Sequence, residues 1–293
     1  MKLIFFCNWG DNSQELLDRY RNFTKNNSGK YKDLIGVSTI EESDCIIFLE
    51  GIPKNFNYNF LLKKKIFGFP REPNITTKNW EKLKLKHGYT YNNFYHVVTN
   101  PQFLNKNYDF LIDLKYKEKT KNLSCIISNK TNGIGYKLRY NFIINFSKEY
   151  PNICDIFGYG WKNELGSSFI GELGFYHNNK NQNKTKFDGL FNYKYSICIE
   201  NCQKNNYFSE KFTDSILCWT IPIYYGCKNI HNYFPDKSFY YIDINEKNIN
   251  QKIIEIINKP ITSENILALE KARNLILNKY NIWNTVYELN KKY

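Results

Sequence analysis

KYSICIENCQKNNYFSEKFTDSILCWTIPIYY, residues 194–225, holds an apolar run, a polar loop, an amphipathic stretch and a second apolar run. Tyr195 to Glu200 reads as a strand rich in β-branched and aromatic residues, and Ile221 to Tyr225 as another. Between them Ser209 is a candidate N-cap, with Glu210 in the first turn of a helix running to Trp219, where a carboxylate suits the positive end of the helix dipole. A strand, a helix and a strand within about thirty residues is the βαβ unit, whose two strands lie parallel. Backbone N–H groups at the start of such a helix face anything anionic beyond the strand ends.

The same rhythm continues on both sides. Upstream lie a strand Leu123 to Ser128, a helix from Tyr136 to Lys148 and a strand Cys154 to Phe157. Downstream lie a strand Phe239 to Asp243, a helix Glu246 to Asn258 closed by Pro260, and a last long helix capped by Ser263, with Ile266, Leu269, Ala272, Ile276 and Trp283 on a common face. The N-terminal third alternates in the same way. Lys2 to Cys7, Asp44 to Leu49 and Lys65 to Phe69 are strands, Phe94 to Val98 and Phe110 to Ile112 further candidates, and Asp11 or Ser13 caps a helix bearing Leu16, Leu17, Tyr20 and Phe23. The charged stretch KYKEKTK, residues 115–121, reads as a solvated connection, and HNNKNQNK, residues 177–184, as a surface loop. Three segments result: an N-terminal α/β domain over 1–118, a second over 119–262, and a helical segment over 263–293 able to pack back on the first.

A chain of 293 residues with 42% hydrophobic content buries real cores and is not disordered. No run approaches the length of a membrane-spanning helix, and Asn8, Trp9 and Gly10 cut short the apolar start, so a soluble, cytoplasmic protein without signal peptide is expected. Eight cysteines, mostly inside apolar runs and without C-x-x-C spacing, read as buried free thiols. The net charge of +13 favours an anionic partner, but abundant Lys, Asn, Ile and Tyr together weaken that inference. Histidines 87, 96, 177 and 231 are scattered, which disfavours a metal site or a Ser-His-Asp triad.

Glu200-Asn201, Tyr207, Glu210-Lys211, Ile221-Pro222-Ile223-Tyr224 and Pro235-Asp236-Lys237-Ser238-Phe239 together resemble the signature of the family 10 α-1,3/α-1,4-fucosyltransferases. Fainter likeness extends upstream through Gly135 to Phe142, the glycine turn Gly158-x-Gly160, and Lys186 to Tyr195. The resemblance implies the GT-B arrangement, two Rossmann-like parallel-sheet domains facing a cleft. It implies an inverting transfer of L-fucose from GDP-fucose to a hydroxyl of a glycan acceptor. It places donor binding on Arg139, Asn201, Tyr207, Glu210 and Lys211: Arg139 and Lys211 on the diphosphate, Asn201 and Tyr207 on sugar and phosphates, Glu210 on ribose or sugar. Arg139 taken alone is also readable as an ordinary solvated helix residue.

Cationic groups aimed at a leaving diphosphate stabilise charge that grows in the transition state. No D-x-D triplet occurs, so no metal or other cofactor is expected, and no nucleic-acid partner. An inverting displacement needs a general base. Glu72, in Phe69-Pro70-Arg71-Glu72-Pro73 after an apolar strand, resembles the element where the family places it, with Glu50 as competitor. A salt bridge of Glu72 with Arg71 or Lys63 to Lys65 is the structural alternative. Lys82, Lys84, Lys86 and His87 form an acceptor-binding or simply solvated face, and Trp161 a stacking platform or a core residue. The same fold and mechanism with another GDP- or UDP-deoxyhexose remains open, as does a non-catalytic nucleotide-sugar or nucleic-acid binding protein.

Overall fold

A computed structural model of the chain describes residues 1–69, 89–90, 104–174 and 184–292. Two compact units emerge, one of residues 1–102, 107–113 and 277–293, the other of 103–106 and 114–276. The strands in chain order are β1 (Lys2–Cys7), β2 (Lys30–Tyr31), β3 (Leu34–Gly36), β4 (Cys45–Leu49), β5 (Lys65–Phe69), β6 (Tyr89–Thr90), β7 (Lys121–Ile126), β8 (Cys154–Phe157), β9 (Phe169–Gly171), β10 (Tyr193–Ile199), β11 (Ile221–Tyr225) and β12 (Tyr240–Tyr241). The helices are α1 (Ser13–Arg21), α2 (Tyr108–Asp113), α3 (Ile134–Glu149), α4 (Glu210–Leu217), α5 (Ile249–Ile257), α6 (Ser263–Asn274) and α7 (Ile282–Lys292).

The first unit holds a sheet of order β2-β3-β1-β4-β5-β6, parallel except for the β2–β3 hairpin. Its central strands are apolar without interruption because both faces are covered. Leu3, Phe5 and Cys7 of β1 and Cys45, Ile47 and Leu49 of β4 enter one core with Leu16 and Tyr20 of α1 and Trp283 and Val286 of α7. The alternate residues Ile4, Ile46 and Phe48 enter the other. Trp283 Nε1 donates to the Tyr20 carbonyl at 2.9 Å, which lets a large indole lie in the core with its polar atom satisfied.

The second unit holds a wholly parallel sheet of order β12-β11-β10-β7-β8-β9. The α/β reading with two parallel-sheet units therefore holds. Among the described residues no helix is long and apolar enough to cross a membrane. All eight cysteines are free and seven are buried, Cys202 being partly exposed.

Several elements depart from expectation for identifiable reasons. Neither Asp11 nor Ser13 caps α1; Asn12 does, in a capping box with Glu15, while Asp11 receives two bonds of 2.9 Å from the buried Arg19 guanidinium. Phe110 to Ile112 belongs to helix α2, whose first turn is set by Asn107 Oδ1 accepting from the Phe110 N–H at 3.0 Å; three apolar residues in a row carry no period. Thr262, not Ser263, caps α6. The single long C-terminal helix is two helices joined by a π-helical turn at Leu275–Lys279, where Asn281 donates to the Leu277 carbonyl at 2.7 Å and accepts from the Asn284 N–H at 2.9 Å. Lys119, within the stretch expected to be solvated, is buried, donates to the Cys218 carbonyl at 2.9 Å, and has its pKa lowered to about 8 by burial. The hairpin β2–β3 and strand β9 went unpredicted because each strand is only two or three residues long. Phe94 to Val98, Glu72 and the Lys82 to His87 face lie outside the described residues.

Candidate functional site

In the second unit the chain leaves β7 outward through β8 and β9, then returns to the other flank of β7 as β10 and continues to β11 and β12. The direction of winding reverses between β7 and β10, and in open parallel sheets the crevice beyond the carboxyl ends at such a reversal is where ligands bind. The residues that leave β7 and β10 there are Ile127-Ser128 and Glu200-Asn201.

Arg139, on α3, reaches this point. It is 5% exposed, not a solvated helix residue. Its Nη1 donates to Asn201 Oδ1 at 2.7 Å, its Nη2 lies 3.4 Å from Ser128 Oγ, and its Nε is buried with no hydrogen-bond partner. The guanidinium lies over the Tyr136 ring at 4.7 Å, one turn away on the same helix, and the Tyr136 hydroxyl accepts from Asn201 Nδ2 at 3.0 Å. The helix after β7 and the loop after β10 are thus tied by a charge-assisted bond across the reversal. Tyr136 was missed from sequence, though its spacing of three from Arg139 is the signal that would have found it.

The start of α4 forms the second half. Ser209 caps it, as expected, its Oγ accepting weakly from the Lys211 N–H at 3.4 Å. The buried Glu200 carboxylate accepts from the Ser209 N–H and Oγ–H, both at 2.7 Å, and lies 3.4 Å from Lys211 Nζ. Lys211 Nζ also contacts Glu210 at 3.3 Å and stays partly exposed. Room for Glu200 depends on Gly226, where a Cβ would stand 2.5 Å from Glu200 Cγ and 2.4 Å from the Tyr224 hydroxyl.

Behind them Lys186 Nζ meets Asp214 Oδ2 at 2.7 Å and lies 3.4 Å from the Glu210 carbonyl. Burial opposes the Lys186 charge, but the Asp214 and Glu210 carboxylates outweigh it and leave its pKa raised. Three cations, Arg139, Lys186 and Lys211, therefore stand with three carboxylates, Glu200, Glu210 and Asp214. An anion here is met by directed donors, not by surplus positive charge.

The structure brings Arg139 and Asn201 into contact, and Glu210 with Lys211. Tyr207 sits beside them in sequence but is enclosed, with 1% of its surface exposed. Trp161 is a core residue: its Nε1 donates to the Ile127 carbonyl at 2.7 Å and its ring stacks on Tyr140 at 5.3 Å. It braces the loop after β7, as does Gly158, whose positive φ of 146° brings it so near that a Cβ would lie 1.9 Å from the Ile127 oxygen.

Comparison with known proteins adds the following. The family model Glycosyltransferase family 10 (fucosyltransferase) C-term matches residues 116–291. The α-(1,3)-fucosyltransferase FucT of Helicobacter pylori is 32% identical over 131 residues, which are 42% of this chain and 25% of that protein. A putative fucosyltransferase-like protein of Arabidopsis thaliana is 32% identical over 66 residues, 22% of this chain and 13% of that one. The chain thus spans a quarter or less of the length of these relatives. A crystal structure of an α1,3-fucosyltransferase is 17% identical with a TM-score of 0.48, covering 96% of this chain and 91% of that one.

Proposed function

The chain belongs to glycosyltransferase family 10, and we propose that it is an inverting fucosyltransferase, taking L-fucose from GDP-fucose to a hydroxyl of a glycan acceptor. The observation that carries this reading is Arg139 held on Asn201 at 2.7 Å at the winding reversal, together with Lys211 at the start of α4. Arg139 brings a fixed, largely dry guanidinium with an unused Nε–H, and Lys211 a partly exposed ammonium. These are the groups a nucleoside diphosphate needs as it departs.

In the proposed reaction the acceptor oxygen attacks C1 of fucose from the face opposite GDP. The new C1–O bond forms as the C1–O bond to the β-phosphate breaks, GDP leaves with the electron pair, and the configuration at C1 inverts. Glu72 takes the hydroxyl proton as general base. Arg139 and Lys211 stabilise the charge gathering on the diphosphate, Asn201 orients Arg139 and faces the donor, and Glu210 is placed for the ribose or the sugar. Tyr207, enclosed as it is, contributes to the donor side through the packing of the α4 lead-in or through a donor-linked rearrangement.

Titration with GDP, UDP and dTDP by calorimetry tests the donor class. GDP is expected to bind preferentially, and binding of UDP or dTDP alone would retire GDP-fucose. Lys211→Ala is expected to weaken GDP by about tenfold, the scale of one lost charge-assisted contact; unchanged affinity would remove Lys211 from the site. Two cations can do the electrostatic work of a divalent ion, so EDTA is expected to leave turnover of GDP-fucose intact. Loss of turnover in EDTA, restored by manganese, would overturn the metal-free mechanism.

A further inference from the structure

We propose that the first turn of α3, through Gly135 and Tyr136, is the positioning element for Asn201 in donor binding, an inference that rests on the donor-site reading above. Gly135 sits one residue inside the start of α3. A Cβ built there would lie 1.5 Å from the Asn201 carbonyl oxygen, 2.6 Å from its carbon and 3.4 Å from its Cα. The obstacle is backbone, so no rotamer change relieves it: either the helix start or the loop after β10 must move.

The separation that Gly135 permits is what lets the Asn201 side chain work in two directions. Its Oδ1 accepts from Arg139 Nη1 at 2.7 Å, and its Nδ2 donates to the Tyr136 hydroxyl at 3.0 Å. The two bonds fix the amide orientation, because Arg139 only donates and therefore selects the oxygen, leaving the nitrogen for the tyrosine. Arg139 in turn is held in one pose, with its Nε buried and unpartnered. A shift of the loop by the ångström or more that an alanine demands would break a bond of 2.7 Å outright. Gly135 acts by volume and Tyr136 by its hydroxyl, and both act through Asn201. Neither touches the reacting atoms in this proposal.

Two variants test this, each in the parent chain and in an Asn201→Ala background, with GDP affinity read by calorimetry and thermal midpoint read without ligand. Gly135→Ala is expected to weaken GDP by about tenfold or more, and Tyr136→Phe, which adds no atoms and keeps the ring under Arg139, by roughly threefold to tenfold. In the Asn201→Ala background Tyr136→Phe is expected to change GDP affinity by less than about twofold, because the amide it positions is gone, whereas Gly135→Ala still meets the backbone carbonyl of residue 201 and keeps part of its effect. Full affinity in Tyr136→Phe, or the same fold loss from Tyr136→Phe in both backgrounds, would overturn the proposal, and both criteria stand even if Gly135→Ala does not fold. A parent chain that fails to bind GDP would overturn the donor reading and this inference with it, whereas a parent that binds and variants that bind equally well would overturn this inference alone.

Discussion

Asp214→Asn is expected to destabilise the ligand-free protein by about 3–5 kcal/mol, the loss typical when one member of a buried ion pair is removed and the other is left charged. Asp214 is fully buried on α4, and its partner Lys186 keeps 13% of its side chain exposed. With the carboxylate gone, the ammonium loses its 2.7 Å contact, while the Glu210 carbonyl lies farther off at 3.4 Å. The melting midpoint should fall by on the order of 10 °C for a unit of this size. Replacing both partners by apolar residues of similar volume, Lys186→Met with Asp214→Leu, should recover most of that loss, since the pair's attraction is offset by the desolvation of two charges.

The double variant should nonetheless bind GDP more weakly than the parent. Lys186 also reaches the Glu210 carbonyl, and so ties the strand lead-in to the turn that presents Glu210 and Lys211. An Asp214→Asn protein within 1 kcal/mol of the parent would show that the ammonium finds other solvation, and would sink the assignment of a structural ion pair.

That pair also marks where sequence reading stops. Strands β1, β5 and β11 were legible to the residue, because parallel strands covered on both faces are near-continuous apolar runs. The start of α4 was legible because Ser209 and Glu210 are local signals, complete within one turn. Lys186 and Asp214 stand 28 residues apart, and nothing local distinguishes them from solvated charges. Lys119 was misread for the same reason: its neighbours in sequence are charged, while its neighbours in space are carbonyls. Asn281, which breaks the C-terminal helix, is one of many asparagines in an asparagine-rich chain, so its capping role had no contrast to stand against.

The proposed donor-side residues were singled out by resemblance, and the geometry gives a reason for the adjacency of Glu200 and Asn201. Glu200 and Asn201 are adjacent yet face different partners: Glu200 turns to Ser209 and Lys211 of α4, Asn201 to Arg139 and Tyr136 of α3. One dipeptide at the end of β10 thus joins both helix starts. Glycines flank it on both sides, Gly135 against Asn201 and Gly226 against Glu200. A glycine's importance through the absence of a side chain depends on what occupies the space, and only the folded chain shows that.

Glu72→Gln is expected to lower kcat for fucosyl transfer by roughly 10²- to 10⁴-fold while GDP affinity changes by less than about twofold. A general base acts on the acceptor proton and has no part in holding the nucleotide, so the two readouts must separate. The rival is Glu50. It follows β4 directly, as Glu72 follows β5 by three residues, and β4 and β5 end side by side with Leu49 opposite Phe69. The chain thus leaves β4 and β5 at the same edge of the first sheet. Glu50 carries a positive φ of 64°, in the region that favours glycine, and its N–H donates to the Phe69 carbonyl at 3.1 Å. That backbone strain has a structural use, turning the chain at the strand end into Gly51, so Glu50→Gln should stay within about threefold of parental turnover. A base must be ionised to work, so kcat/KM should rise with pH and level off above the base's pKa. Glu72→Gln should abolish that rising limb and Glu50→Gln should keep it. The reverse outcome, a flat profile in Glu50→Gln with parental behaviour in Glu72→Gln, would move the base to the end of β4.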